Sequence, residues 1–236
     1  MRNPRTGSSQ IIKMSQRRSK KSLNKSQSDS DESDPTEFIE ESVKRCVRYF
    51  LVASEGNYPI KKNDIKKNVP IKTSGAFQLV MKETTKALKD IFGYKVVELE
   101  DGFYVLLKNF NDDKNPKKIL TLLVLSHVFM SGDSTSEASM KSFLNSLNID
   151  LEKNHDFFGN VKEFVFVTLE KQKYLSVVVD DLTKIRTFKW GARAEATICK
   201  ETILKFVCEI YNTRRNIQPE QFKEQFEKAQ QQNFNQ

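Results

Sequence analysis

The stretch "FGYKVVELEDGFYVLLK", Phe92 to Lys108, decides how this chain is read. Two apolar runs rich in Val, Tyr and Phe flank Glu100-Asp101-Gly102, a turn sequence suited to a β-hairpin. Gly93 stands where a helix would end, since a residue without Cβ readily takes the left-handed backbone of a helix stop. What precedes it reads as helical. In "DPTEFIEESVKRCVRYFLVAS", Asp34 can cap exposed N–H groups, Pro35 fits the first turn and Glu37 complements the positive helix end. Ile39, Val43, Cys46, Val47 and Phe50 then recur at helical spacing. "KKNDIKKNVP" is a short helix or turn ending before Pro70, and after Thr73 a third helix gathers Phe77, Val80, Met81, Leu88 and Ile91 on one side. Three helices followed by a two-stranded wing form the winged-helix arrangement.

Past the polar, Pro116-containing linker "FNDDKNPKK" the order repeats. "KKILTLLVLSHVFMSG" is an apolar helix closed by Gly132, and "STSEASMKSFLNSL" opens with Ser134 and Glu137 in capping-box spacing. "GNVKEFVFVTLEKQ" predicts another helix and "KYLSVVVDDLTKIRTFKW" a second strand pair turning near Asp180-Asp181. The expected fold class is mainly α with small β wings (α+β): tandem winged-helix domains at 35–110 and 116–212, with a linker at 111–115. Within the second, a helix from near Ala192 carries a stripe of Ala196, Cys199, Ile203, Phe206, Val207 and Ile210. Residues 213–236 are a polar tail or weak helix.

The net charge of +8 is unevenly held: residues 1–34 contain eight Lys/Arg against four Asp/Glu, so half the excess lies there. Those residues have too few apolar side chains to offset ordering entropy and read as a disordered tail. Within them "RRSKK" (Arg17 to Lys21) reads either as a nuclear-import patch or as an ordinary basic cluster, and "SDSDESD" as phosphorylatable serines or a spacer. The start lacks the apolar core of a signal peptide, and the longest apolar run is interrupted by Thr121, Ser126 and His127, so no membrane partner is expected. Cys46, Cys199 and Cys208 lack CxxC spacing and neighbouring histidines, which points to reduced thiols.

Chemistry-bearing motifs are sparse. His127 falls inside the apolar helix and His155 in a polar loop, with no nucleophile-base pattern around either. Neither a phosphate-cradling glycine loop nor a metal-ligand cluster occurs, so the expectation is no enzyme, no cofactor and no metal. Lys162, Lys171 and Lys173 flank the third helix of the second half, and Lys184, Arg186 and Lys189 lie on its wing; they read as phosphate contacts or as a solvated surface. "KKNDIKK" carries the same ambiguity. The helix Ile119–Met130 is apolar round more of its circumference than a surface helix needs, with Leu122 and Leu123 about 100° apart. It either packs between the two halves or lines a groove for another protein. Trp190, followed by Gly191, reads as a packing anchor at the end of the last strand, with Arg193 left available for a carboxylate or phosphate.

Taken in order, "ILTLLVLSHVFMSGDSTSEASMKSFLNSLNI", "EKQKYLSVVVDD" and "FKWGARAEA" resemble the MAGE (melanoma-antigen) homology domain, and "FGYKVVELED…FYVLL" resembles its first-half hairpin, over nearly all of residues 38–212. The resemblance implies tandem winged helices and a non-catalytic binding partner of RING-type ubiquitin ligases, with the dileucine Leu122-Leu123 at that interface. The family's "WGPRA" signature falls on Trp190, Gly191, Ala192, Arg193 and Ala194, with Ala192 where proline is usual. A short, single MAGE-like protein with a basic tail is similar to the third non-SMC element of the SMC five/six chromosome complex. That type implies RING and kleisin partners, double-stranded DNA bound without strong sequence preference, nuclear chromatin and a role in DNA repair. The other expectation is a MAGE-like adaptor that brings a protein substrate to a RING ligase without a chromosome role.

Overall fold

A computed structural model describes residues 35–71, 73–108, 115–211 and 218–234. The tail at 1–34, with its Arg17–Lys21 patch, acidic serine run and Asp34 cap, lies outside the described residues, as do 111–114 of the expected linker and 212–217. The first half runs α1 (Pro35–Ala53), β1 (Ile60–Lys61), α2 (Lys62–Asn68), α3 (Ser74–Phe92), β2 (Tyr94–Glu98) and β3 (Phe103–Lys108). The second begins α4 (Pro116–Met130), β4 (Ser134–Ser136), α5 (Glu137–Ser146), α6 (Val161–Glu163), a π-helical turn (Phe164–Thr168) and α7 (Leu169–Lys171). It closes with β5 (Leu175–Val179), β6 (Arg186–Trp190), α8 (Ala192–Thr197), α9 (Lys200–Tyr211) and α10 (Lys223–Phe234).

Both hairpins form, so the fold is the expected α+β tandem winged helix. Gly93 ends α3 at φ 68° and Gly102 closes the first hairpin at φ 74°. Each sheet gains a third strand that sequence reading did not anticipate. β1 pairs with β3 and β4 with β6, giving orders β1-β3-β2 and β4-β6-β5, all antiparallel. At two and three residues, these strands are too short to show alternation. Ser134 is therefore a strand residue, and the cap of α5 is Ser136, whose hydroxyl accepts from the Ser139 N–H at 3.2 Å.

Each half has its own apolar core. Cys46, Phe50, Ile65, Phe77, Val80 and Leu88 anchor the first. Leu120, Val124, Leu125, Phe129, Met140, Leu144, Val165 and Phe188 are among those in the second. Ile91, expected inside, is 72% exposed because α3 runs past the edge of the first core. In "FVFV", three consecutive residues, Phe164, Val165 and Phe166, are buried. At about 100° per residue they would span about 200° of a regular helix; the wider π turn narrows that spread.

The single helix expected from Ala192 is broken. Ile198 has extended backbone (φ −122°, ψ 123°), which separates α8 from α9 and shifts the apolar register. Ile203, Leu204, Val207 and Cys208 face inward, whereas Ala196 and Ile210 are exposed. Groups freed by such a break need partners. Gln232 of α10 supplies them, accepting from the Lys200 N–H at 2.7 Å and donating to the Glu195 and Ile198 carbonyls at 3.1 and 3.2 Å. The weak C-terminal helix is thus docked by its amide side chain, with Ala229 buried beneath it.

Candidate functional site

Pro116 at the first turn and Asn115, whose side chain accepts from the Lys117 N–H at 3.0 Å, start α4. Its buried residues Leu120, Thr121, Val124, Leu125, Val128 and Phe129 pack into the second half, against α9, β6, α5 and β4. Thr121 and Ser126 donate back to the carbonyls of Lys117 and Leu122, each at 2.7 Å, which hides their hydroxyls within the helix. The apolar circumference thus reflects a central helix of the second half rather than a layer between halves. Leu122 and Leu123 are each half-buried against that core and point to different sectors. Leu122 opens onto a cleft of about 720 Å³ between the halves, which is also lined by Asn57, Leu106, Tyr174 and Arg193.

The signature that begins at the end of β6 contributes Arg193 to this cleft. Trp190 is a packing anchor: its indole N–H donates to the Leu125 carbonyl at 2.9 Å and its ring lies 6.0 Å from that of Phe129, so it secures α4. Gly191 donates to the Tyr174 carbonyl at 2.8 Å, and the Arg193 N–H to that of Lys173 at 3.0 Å. Arg193 itself overturns the expectation of an available cation, because only 2% of it is exposed. Its guanidinium donates to the Asn57 carbonyl at 2.6 Å and the Asn57 side-chain oxygen at 3.0 Å, and lies 4.6 Å over the Tyr174 ring. Asn57 presents both oxygens from a left-handed turn at φ 60°. Burial pulls the Arg193 pKa down from its usual value, although Tyr174 opposes the shift. The residue joins the two halves and cannot reach a phosphate in this arrangement.

The other basic residues do not form one patch. Lys162 is bound to both carboxylate oxygens of Glu152 at 2.8 and 2.9 Å. Lys173 bridges the halves, 2.9 Å from Asp101 of the first wing and 4.6 Å over Phe103. Arg186 is half-buried between Glu137 at 3.6 Å and Glu170 at 3.9 Å, and donates to the Phe166 carbonyl. Because strand side chains alternate, Lys189 emerges on the opposite face from Arg186. Lys171, Lys184 and Lys189 are exposed, with Lys184 in the turn at φ 56°. That wing tip also bears Asp180, Asp181 and Leu182, the last 94% exposed. In "KKNDIKK", Lys62 reaches Glu98 at 3.1 Å and Lys67 reaches Asp64 at 3.9 Å.

Both histidines have structural partners. His155 Nδ1 accepts from the N–H groups of Phe157 and Phe158 at 3.1 and 3.2 Å. His127 stacks on Phe143 at 4.3 Å, with Nε2 3.1 Å from the Ser139 hydroxyl and 3.3 Å from that of Thr135. Burial lowers the His127 pKa from its usual value, so the unfolded chain takes up the proton first. This contribution to stability is intact above about pH 6.5 and is lost as pH falls through the folded pKa. Thermal melts from pH 7.5 to 5 should therefore decline less steeply in His127→Gln than in the parent. Cys46 and Cys208 are buried, and burial raises both thiol pKa values. Among the described residues no cluster of three or more His, Cys, Asp or Glu is arranged to hold a metal, and no helix is long and apolar enough to cross a membrane.

Comparison with known proteins is consistent across these elements. The human non-structural maintenance of chromosomes element 3 homolog is 29% identical over 199 residues, covering 78% of this chain and 65% of that protein. Mouse melanoma-associated antigen E1 is 28% identical over 191 residues, covering 75% of this chain. This chain spans only 21% of that longer relative. A chain of a solved structure described as "Nse1-Nse3-Nse4 complex" superposes with a TM-score of 0.72 at 26% identity, covering 81% of this chain and 97% of that chain. The model of the MAGE homology domain matches residues 46–103 and 105–201, well over half the sequence and both winged helices, so the chain belongs to the MAGE homology domain family.

Proposed function

We propose that this chain is a non-catalytic MAGE-type subunit of an SMC five/six-like chromosome complex, built on winged-helix modules at 35–110 and 116–212. In this reading it is held between a RING-type ubiquitin ligase subunit and a kleisin. It contacts double-stranded DNA on nuclear chromatin and serves DNA repair and genome maintenance. The observation that carries the reading is the likeness, through both halves, to nearly the whole of one chain from a solved Nse1-Nse3-Nse4 complex. The similarity to the human element 3 homolog supports the same assignment. No cofactor enters the proposal.

The RING interface is proposed at Leu122 and Leu123, where half-buried leucines give a partner apolar surface that the core leaves partly uncovered. Leu122→Ala/Leu123→Ala should weaken co-purification of the RING subunit about tenfold or more, since each tenfold step is only about 1.4 kcal/mol. A melting curve is recorded alongside it. Unchanged co-purification with an intact fold removes the assignment, and a lost fold makes the pair packing residues.

The comparable similarity to melanoma-associated antigens favours a second reading, an adaptor that recruits a substrate to a RING ligase without a chromosome role. Mass spectrometry of a nuclear pull-down separates the two. Kleisin and SMC subunits support the first, whereas a ligase and substrate without them support the second.

A further inference from the structure

The two halves repeat one architecture, but their third helices carry different charge. In α3, Phe77, Val80, Met81, Thr84 and Leu88 are buried. On the opposite side Gln78, Lys82, Lys86 and Lys89 are exposed. At about 100° per residue these four and Thr85 fall within an arc of about 100°, while Glu83 and Asp90 lie about 40 to 60° beyond it. From Gln78 to Lys89 the face runs about 16 Å at about 1.5 Å per residue. Among the described residues none of the three lysines is in an ion pair. Beside them, a groove of about 440 Å³ separates α3 from the first wing, lined by Lys62, Gln78, Lys82, Glu98 and Tyr104. Lys62 already holds Glu98 at 3.1 Å, which offsets the acid in that groove.

The corresponding helix of the second half exposes Lys162, Glu163, Val167, Glu170 and Lys171. Lys162 of this helix is met by Glu152, and Arg186 of the adjoining strand by Glu137 and Glu170, which leaves Lys171 on the helix and Lys184 and Lys189 on the wing. Both halves thus keep exposed lysines without an ion pair among the described residues, but only in the first half do three of them share one face of a single helix, α3.

We propose that the exposed face of α3, through Lys82, Lys86 and Lys89, is the duplex-DNA site of this chain. The inference rests on the reading above that the chain contacts DNA, and it moves the contact from the second-half residues to the first half. The occupant is identified by charge complementarity and by size. A duplex presents about one negative charge per 1.7 Å of axis, and its major groove, about 12 Å wide, admits a helix. Three lysines bind phosphates as point charges without reading bases. Gln78 is the one amide on the face able to meet a base edge, so sequence preference is weak.

The test uses the full chain and a fluorescent 30-base-pair duplex of mixed sequence, with anisotropy read over a range of KCl concentrations. Lys82→Ala/Lys86→Ala/Lys89→Ala is expected to reduce affinity tenfold or more at about 100 mM salt and to make the slope of log K against log salt shallower by about 3. Lys171→Ala/Lys184→Ala/Lys189→Ala removes the same formal charge from the second half and should change that slope by less than about 1. All six lysines are exposed, so melting temperatures should stay put and a slope change is not an unfolding artefact. The proposal is overturned if the α3 variant keeps the parent slope, or if the second-half variant flattens it more, which leaves DNA binding in place but elsewhere. No duplex binding by the parent at low salt removes the DNA reading itself. Loss of RING or kleisin co-purification by the α3 variant with unchanged duplex binding makes the face a protein dock, which also overturns the proposal.

Discussion

Gly191→Ala is expected to destabilise the protein by about 3 kcal/mol or more, in the range of severe overpacking. The reason is space, because Gly191 sits at φ −88° and ψ 168°, a conformation any residue can adopt. A Cβ there would press on the Lys173 carbonyl, lying 2.9 Å from its carbon and 3.0 Å from that of Leu175. Both neighbours are backbone, and the Lys173 and Tyr174 carbonyls are fixed by accepting from the Arg193 and Gly191 N–H groups. The collision cannot be relieved by rotating a side chain. Urea unfolding of Gly191→Ala against Gly75→Ala provides the check. A Cβ at Gly75 meets nothing within 4 Å, and alanine in α3 should be neutral or stabilise by up to about 1 kcal/mol. Equal midpoints for the two variants would refute the packing argument.

Arg193→Ala is expected to cost about 3 kcal/mol and to loosen the contact between the halves. Hydrogen bonds from a charged group contribute about 1.5–3 kcal/mol, and a partly desolvated cation over an aromatic ring about 0.5–2. Truncation also strands the Asn57 carbonyl and opens a void beneath Tyr174. Arg193→Lys keeps the charge but not the planar fork that meets both oxygens of Asn57, so it should fall between the parent and alanine. Hydrogen exchange at residues 54–58 reports the loosening directly. Faster exchange there in Arg193→Ala, with α3 unchanged, is the expected pattern; uniform acceleration would mean global destabilisation alone.

What was legible in the sequence depended on distance along the chain. The helices with regular apolar spacing, Gly93 as a helix stop and the Glu100-Asp101-Gly102 turn are local events, governed by backbone sterics and by hydrogen bonds a few residues apart. Twice three helices and a hairpin were enough to identify the winged-helix fold, and the ordered motifs were enough to identify the family. The strands β1 and β4 were invisible because their existence depends on partners more than forty residues away, Tyr104 for Ile60 and Phe188 for Thr135. The break at Ile198 was hidden for a similar reason, since its freed groups are met by Gln232 from a distant helix.

The candidate site was less legible than the fold. Sequence spacing marked Leu122, Leu123, Trp190 and Gly191, and Trp190 is an anchor, its indole N–H on the Leu125 carbonyl of α4 and its ring beneath Lys200 of α9. Charge alone treated Lys162, Lys173, Arg186 and Arg193 as equivalents of Lys171, Lys184 and Lys189. Tertiary structure separated them, because a cation's availability depends on whether folding brings a carboxylate, a carbonyl or an aromatic ring to it. The 4-and-3 spacing of Lys82, Lys86 and Lys89 was present in the sequence all along. Only packing decided that the stripe faces outward without a carboxylate partner among the described residues, while Arg193 is drawn inward onto Asn57 and Tyr174.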